Sequence, residues 1–207
     1  YLSRLPGRVG QFMALTGARL DGAECRFLDL ATHYVPQAAL PDLLDRLAKT
    51  PARAAGVAGQ FAVTPPPARI EANLPLIVKL FAPETLEEVL AALEADGGDW
   101  ATTELATLRS KSPLSCKVSL RLLREGAERE SFADEMRAEY ALASRVVRTH
   151  DFVEGVRALL IDKDNAPDWR PPVPEAVLDE MVDQLFVPLP PGEEWTPFVE
   201  VASSSRA

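Results

Sequence analysis

The sequence predicts a helix-rich fold with about one or two short strands. Apolar residues recur three and four positions apart along most of the chain, and capping residues stand where those runs begin. One short stretch, Ala31-Thr32-His33-Tyr34-Val35 before Pro36, instead reads as a strand. The 207 residues are 47% hydrophobic, enough for one sizeable packed core. No apolar run approaches the roughly 18–20 residues that a membrane span needs.

Taken in order, Val9, Phe12, Met13 and Leu15 share one face of a short helix that ends at Gly17. Asp21 opens a second helix as N-cap, with Glu24 three residues on to complete a capping box; Cys25 and Leu28 point inward. Leu40 to Ala48 and Pro51 to Gly56 read as further helices. Residues 61–72, with Pro65-Pro66-Pro67, must be an extended connection. Leu74 to Phe81 is apolar but interrupted by Pro75 and Lys79. Thr85 to Glu88 is another capping box, opening a helix through Leu93 that Gly97-Gly98 stops, and Asp99 caps the next one. Ser112-Pro113 is a strong start, a hydroxyl at N-cap and a proline where no amide hydrogen is needed, for a helix to Gly126. Ser131 opens a helix whose stripe is Phe132, Met136, Tyr140, Ala143 and Val147. Asp151 and Glu154 form a capping box for a helix to about Ile161. Pro174 to Leu185 predicts a short helix. From Phe186, through Ser203-Ser204-Ser205, an irregular acidic tail is expected.

The net charge of −9 and pI of about 4.8 argue against direct nucleic-acid binding. Arg121 with Arg124, and Arg145 with Arg148, fit the solvated faces of amphipathic helices better than a phosphate site. Cys25 and Cys116 belong to no metal or redox motif and read as buried small hydrophobes in a reducing compartment. His33 reads as a satisfied structural histidine, and His150 as bonded to nearby backbone. No GxSxG elbow, Walker loop or GxGxxG is present. Carboxylate pairs such as Glu87 with Glu88 and Glu128 with Glu130 fall on charged helical faces, where a desolvated general acid or base is not expected. The sequence opens on Tyr1 rather than Met, in no signal-peptide or transit-peptide pattern, and is expected to be a cut or processed chain.

Three stretches are more specific. Arg4-Leu5-Pro6-Gly7-Arg8-Val9-Gly10-Gln11-Phe12-Met13-Ala14-Leu15-Thr16-Gly17, continuing to Ala31-Thr32-His33-Tyr34-Val35-Pro36, resembles the segment after the active-site helix of the crotonase (enoyl-CoA hydratase/isomerase) superfamily. Its "A-T-H" resembles the 3-hydroxyisobutyryl-CoA hydrolase branch. Ser112-Pro113-Leu114-Ser115-Cys116-Lys117-Val118-Ser119-Leu120 is similar to that branch's "S-P-x-S-L-K-x-T-L". His150-Asp151-Phe152-Val153-Glu154-Gly155-Val156-Arg157-Ala158-Leu159-Leu160-Ile161-Asp162-Lys163-Asp164, then Pro167 and Trp169, follows its "H-D-F-x-E-G-V-R-A-x-L-I-D-K-D-x-x-P-x-W". The resemblance spans about residues 1–170, with a poorly matching middle around 50–80.

The resemblance implies the α-rich C-terminal portion of an α/β crotonase (ClpP/crotonase-like) fold. The parts would be 1–36, the end of the crotonase core; 37–111, a helical insert; 112–170, C-terminal crotonase helices; and 171–207, the Pro-rich tail. It implies hydrolysis of an acyl-CoA thioester, 3-hydroxyisobutyryl-CoA in valine catabolism, in the mitochondrial matrix or a bacterial cytoplasm. No cofactor is implied, since CoA belongs to the substrate. In the family the first oxyanion amide lies well upstream, and the catalytic glutamate and aspartate lie in a "P-E-T-x-x-G-x-x-P-D-x-G-G-G" stretch whose glycines would immediately precede Tyr1. No catalytic residue is therefore carried over. Tyr1 and Leu2 are candidates to line the acyl pocket, with ordinary packing the alternative, and Lys163 is a candidate for a CoA phosphate, with a solvated lysine the alternative. The implied partners are the N-terminal half of the fold, an acyl-CoA and other proteins of a larger assembly, without nucleic-acid contact or membrane insertion. A catalytically inactive subunit of a mitochondrial ribosome or respiratory complex is the alternative reading, and an enoyl-CoA hydratase or isomerase the second.

Overall fold

A computed structural model describes residues 1–196; Ser203-Ser204-Ser205 lies outside the described residues. A 3-10 turn, Leu2–Arg4, leads into α1 (Val9–Thr16). The two are pressed together at Gly10, where an added Cβ would collide with the Leu2 carbonyl oxygen. The helix ends as expected, on Gly17 in the left-handed region (φ 72°), whose N–H bonds the Met13 carbonyl.

Helix α2 (Gly22–Phe27) carries the complete expected capping box: Asp21 accepts from the Glu24 N–H at 2.9 Å and Glu24 from the Asp21 N–H at 2.8 Å. Glu24 is buried and also accepts from the Ile70 N–H and from Arg69, which fastens α2 to the chain entering α5 (Leu74–Leu80). Pro75 lies in the first turn of α5, where a missing N–H costs nothing, so the proline begins this helix instead of breaking it.

Helices α3 (Leu40–Lys49) and α4 (Ala54–Phe61) pack on each other outside the main core. Helices α6 (Leu86–Asp96) and α7 (Asp99–Arg109) also pair. Thr85 caps α6 through the Glu88 N–H as expected. Gly98 takes the N-cap of α7, and Asp99 begins the helix without capping it. The long helix α8 (Pro113–Glu128) starts on Ser112, whose hydroxyl accepts from the Ser115 N–H at 3.1 Å. On one side it meets α1; on the other it meets α11 (Asp179–Phe186), which also packs on α9 (Phe132–Val146).

Two apolar clusters result. The larger joins α1, α5, α6 and α7, with Phe81 fully buried and Phe12 meeting it edge-to-face at 5.3 Å between ring centroids. The smaller joins Leu114, Val118, Leu142, Val177 and Val182.

The expected strand does not form. Ala31 to Val35 is irregular; its Ala31 N–H turns back to the Cys25 carbonyl of α2, and the Val63 N–H donates to the Tyr34 carbonyl. A strand needs a neighbouring ladder, and among the described residues none is offered. The expected stripe of α9 is also not its packed face. The helix buries Leu142, with Val146 half-covered, and leaves Phe132, Tyr140 and Val147 exposed.

Candidate functional site

Tyr1 stands at the edge of an apolar groove of about 520 Å³ lined by Leu5, Val9, Phe27, Leu28, Leu74 and Val78 among others. The groove exists because α1, the end of α2 and α5 converge there. The Tyr1 hydroxyl donates to the Asp29 carbonyl at 3.2 Å, closing one end, while the residue keeps 70% of its surface open. Leu2, expected beside it, lines no part of the groove; its carbonyl is pressed onto Gly10 and accepts from the Leu5 N–H.

Lys163 lies elsewhere, in the loop that follows α10 (His150–Val156) and the wide π-turn Arg157–Ile161. It is exposed and takes the left-handed region (φ 58°), a conformation uncommon for a residue with a Cβ. Arg157 holds the loop by donating to Glu154, Asp162, Asp164 and the Ala166 carbonyl. The hydrogen bond from Arg157, then that from the Asp168 N–H, draws the Glu154 carboxyl down to about 2. Arg157 likewise lowers Asp164, and its own guanidinium is raised by the same carboxylates, Glu154 foremost.

A third cluster ties this loop to α8. Asp151 is buried and accepts from the Ser112 hydroxyl at 2.5 Å and the Arg170 N–H at 2.8 Å. Trp169 donates from its indole to the Ser110 carbonyl, and its ring lies against Gly155, where a Cβ would meet it at 3.2 Å. Asp151 therefore does not cap α10 as expected. Thr149 does so, accepting from the Phe152 N–H, and Asp151 is freed to join three segments. Glu154 likewise turns to Arg157. The motif from His150 to Trp169 is bonded largely to itself and to the start of α8. No sequence pattern announced this cluster, because its partners are 39 and 59 positions apart.

The remaining candidates are spent on structure. His33 shares a hydrogen bond with Thr32, and His150 bonds the Asp151 carboxylate rather than backbone. Arg121 pairs with Glu125 and Asp183 and lies over the Phe186 ring at 4.2 Å, and Arg145 donates to the Pro188 carbonyl. Glu87 leaves the solvated face expected of it and pairs with Lys117 at 2.6 Å. Cys116 is buried as expected, which pushes its thiol up to about 11; Cys25 is half-buried. Among the described residues no cluster of His, Cys, Asp or Glu could hold a metal ion. The arrangement can wall an apolar group and present a cation.

A profile of the enoyl-CoA hydratase/isomerase family matches residues 1–186. The chain belongs to this family. It is 38% identical over 198 residues to a mitochondrial 3-hydroxyisobutyryl-CoA hydrolase of Gallus gallus, an alignment covering 91% of this chain and 51% of the relative. It is equally, 38%, identical over 201 residues to the small ribosomal subunit protein mS47 of Arabidopsis thaliana, covering 91% of this chain and 49% of that one. In three dimensions it resembles a carnitinyl-CoA dehydratase from Mycobacterium thermoresistibile, with a TM-score of 0.84 and 30% identity over 92% of this chain and 54% of the other. The chain spans about half the length of the curated relatives it matches. The α-rich C-terminal crotonase portion expected from the motifs is the observed fold, and the hydrolase branch expected from them is that of the Gallus relative.

Proposed function

We propose that this chain is the C-terminal scaffold of a CoA-thioester hydrolase of the 3-hydroxyisobutyryl-CoA type, acting in valine catabolism in the mitochondrial matrix. The observation that carries the reading is the apolar groove ending at Tyr1, in a chain whose relatives include mitochondrial hydrolases of that ester. The groove walls the acyl group, and Tyr1, anchored on Asp29, sets its end. Leu2 acts indirectly, by fixing the turn that carries Tyr1 onto Gly10. Lys163 meets a phosphate of the CoA moiety. Attack by water on the thioester carbonyl forms the C–O bond, breaks the C–S bond and releases the carboxylic acid and free CoA thiol. The groups that activate the water and hold the oxyanion belong to the other half of the fold. No metal or redox cofactor enters this chemistry.

The test is release of CoA thiol from 3-hydroxyisobutyryl-CoA by the whole protein, with a 2-enoyl-CoA run alongside. Thioester hydrolysis is expected; water addition to the enoyl ester without hydrolysis would favour a hydratase. A second reading is favoured by the likeness to mS47: an inactive subunit built into a large mitochondrial assembly. Absence of turnover on both esters, with the protein sedimenting in a ribosome-sized particle, would establish that reading instead.

A further inference from the structure

Arg157 uses all five of its guanidinium N–H groups. Nε and one Nη2 hydrogen go to the Glu154 carboxylate at 2.9 and 2.8 Å, two Nη1 hydrogens to Asp162 and Asp164 at 2.7 Å each, and the remaining Nη2 hydrogen to the Ala166 carbonyl at 3.1 Å. Two of these acceptors, Asp162 and Asp164, are the immediate neighbours of Lys163 in the chain. The backbone is fixed as well, by the Asp162 N–H on the Arg157 carbonyl, the Asn165 N–H on the Ala158 carbonyl and the Ala166 N–H on Asp164. Both carboxylates beside Lys163 pair with Arg157, and Lys163 itself makes no ion pair among the described residues.

We infer that Arg157 is the positioning residue for Lys163: it takes up the two flanking carboxylates so that they do not capture the ammonium, and leaves Lys163 to a phosphate of a coenzyme A ester. This rests on the proposed role of Lys163. Summed charge does not explain an anion site here, since Glu154, Asp162 and Asp164 outnumber Arg157 and Lys163 by one. The direction of the charges does, because the carboxylate oxygens are turned to the guanidinium while the lysine is exposed. A lysine at position 157 has three donors and no planar fork, so it cannot hold the same set.

The test measures binding of CoA and of 3′-dephospho-CoA to the whole protein by calorimetry. Lys163→Ala should weaken CoA about fivefold, the size of one partly solvated charge-assisted contact. If the dephospho compound is already weaker and insensitive to that change, the ribose phosphate is the group met; if it loses as much, the diphosphate is. Arg157→Lys should cause a similar loss, with no further loss in the double variant. Adding Asp162→Asn and Asp164→Asn to Arg157→Lys should restore binding, which a merely structural role for Arg157 would not allow. If Lys163→Ala binds CoA normally, the lysine reading fails and this inference with it. If Lys163→Ala weakens binding but the Arg157→Lys loss is additive or is not rescued, this inference alone fails. Where Arg157→Lys does not fold, the two asparagine changes in the native background decide: unchanged CoA affinity supports the inference, and a several-fold tightening overturns it by showing that the carboxylates were opposing the ligand all along.

Discussion

A methyl group added at Gly10 would collide with the Leu2 carbonyl, which is backbone and not the far end of a flexible side chain. Gly10→Ala should therefore cost on the order of 2–3 kcal/mol, an overpacking penalty read from urea unfolding. Because the displaced turn carries Tyr1, the proposed thioester hydrolysis by the whole protein should fall further than the stability loss explains; full hydrolysis by a folded variant would detach the turn from the groove. At Cys116 the effect is chemical. Burial holds its thiol near 11, far above the working pH, so little thiolate forms. In native protein at pH 8, iodoacetamide should label Cys25 well before Cys116, and unfolding should abolish the difference; mass spectrometry of the two peptides decides. These two positions also differ in legibility. Cys116 as a buried small side chain was readable because it belongs to no metal or redox motif. Gly10 was not, because its neighbour is eight residues back on a separate turn.

Among the elements, the start of α8 and the end of α10 stand or fall together. Ser112 caps α8 and donates to Asp151, so Ser112→Ala removes a cap, about 1 kcal/mol, and also a partner of a buried carboxylate. Asp151→Ala should cost more, about 2–4 kcal/mol, by leaving the Ser112 hydroxyl and the Arg170 N–H without their acceptor. The double variant should cost clearly less than the two losses added, measured by thermal or urea unfolding; strict additivity would mean that the contact carries no energy. Acid acts on the same region through Glu154. Its folded value, about 2, lies below the ordinary 4.5, so its contribution is complete above about 4.5 and is lost as pH falls toward 2. A carboxyl-detected NMR titration should place its midpoint near 2, and nearer 4.5 once Arg157 is replaced. Local chemistry explains which elements the sequence could announce. Caps act within three residues, so Asp21, Thr85, Ser112 and Ser131 were legible. Helix α5 was obscured because Pro75 reads as a break unless its place in the first turn is known. Asp151 was read as a cap because its true partners, Ser112 and Arg170, are distant in the chain.

At the scale of the whole molecule, the side chains without partners are as informative as the core. Phe132 is 77% exposed, Leu160 and Ile161 are each 69% exposed, and Tyr140, Val147, Phe152, Val153 and Leu159 are open as well. Scattered apolar side chains are ordinary on a protein surface, but runs of them along successive turns mark a face meant to be covered. The chain spans about half the length of its curated relatives, and the cover proposed for these faces is the complementary half of the crotonase fold. A net charge of −9 adds repulsion between copies of the chain without removing the cost of leaving the faces wet. Each large side chain so covered contributes about 1.5–3 kcal/mol, so even a few of them rival the whole stability of a small domain. Residues 1–207 expressed alone should therefore bind a hydrophobic dye, associate in solution and melt without a sharp transition. Adding the complementary half as a separate chain should restore a single cooperative melt and displace the dye. A monomeric isolated chain with a cooperative transition of its own would show that the two apolar clusters, around Phe81 and around Leu142, already suffice, and that these faces serve another partner.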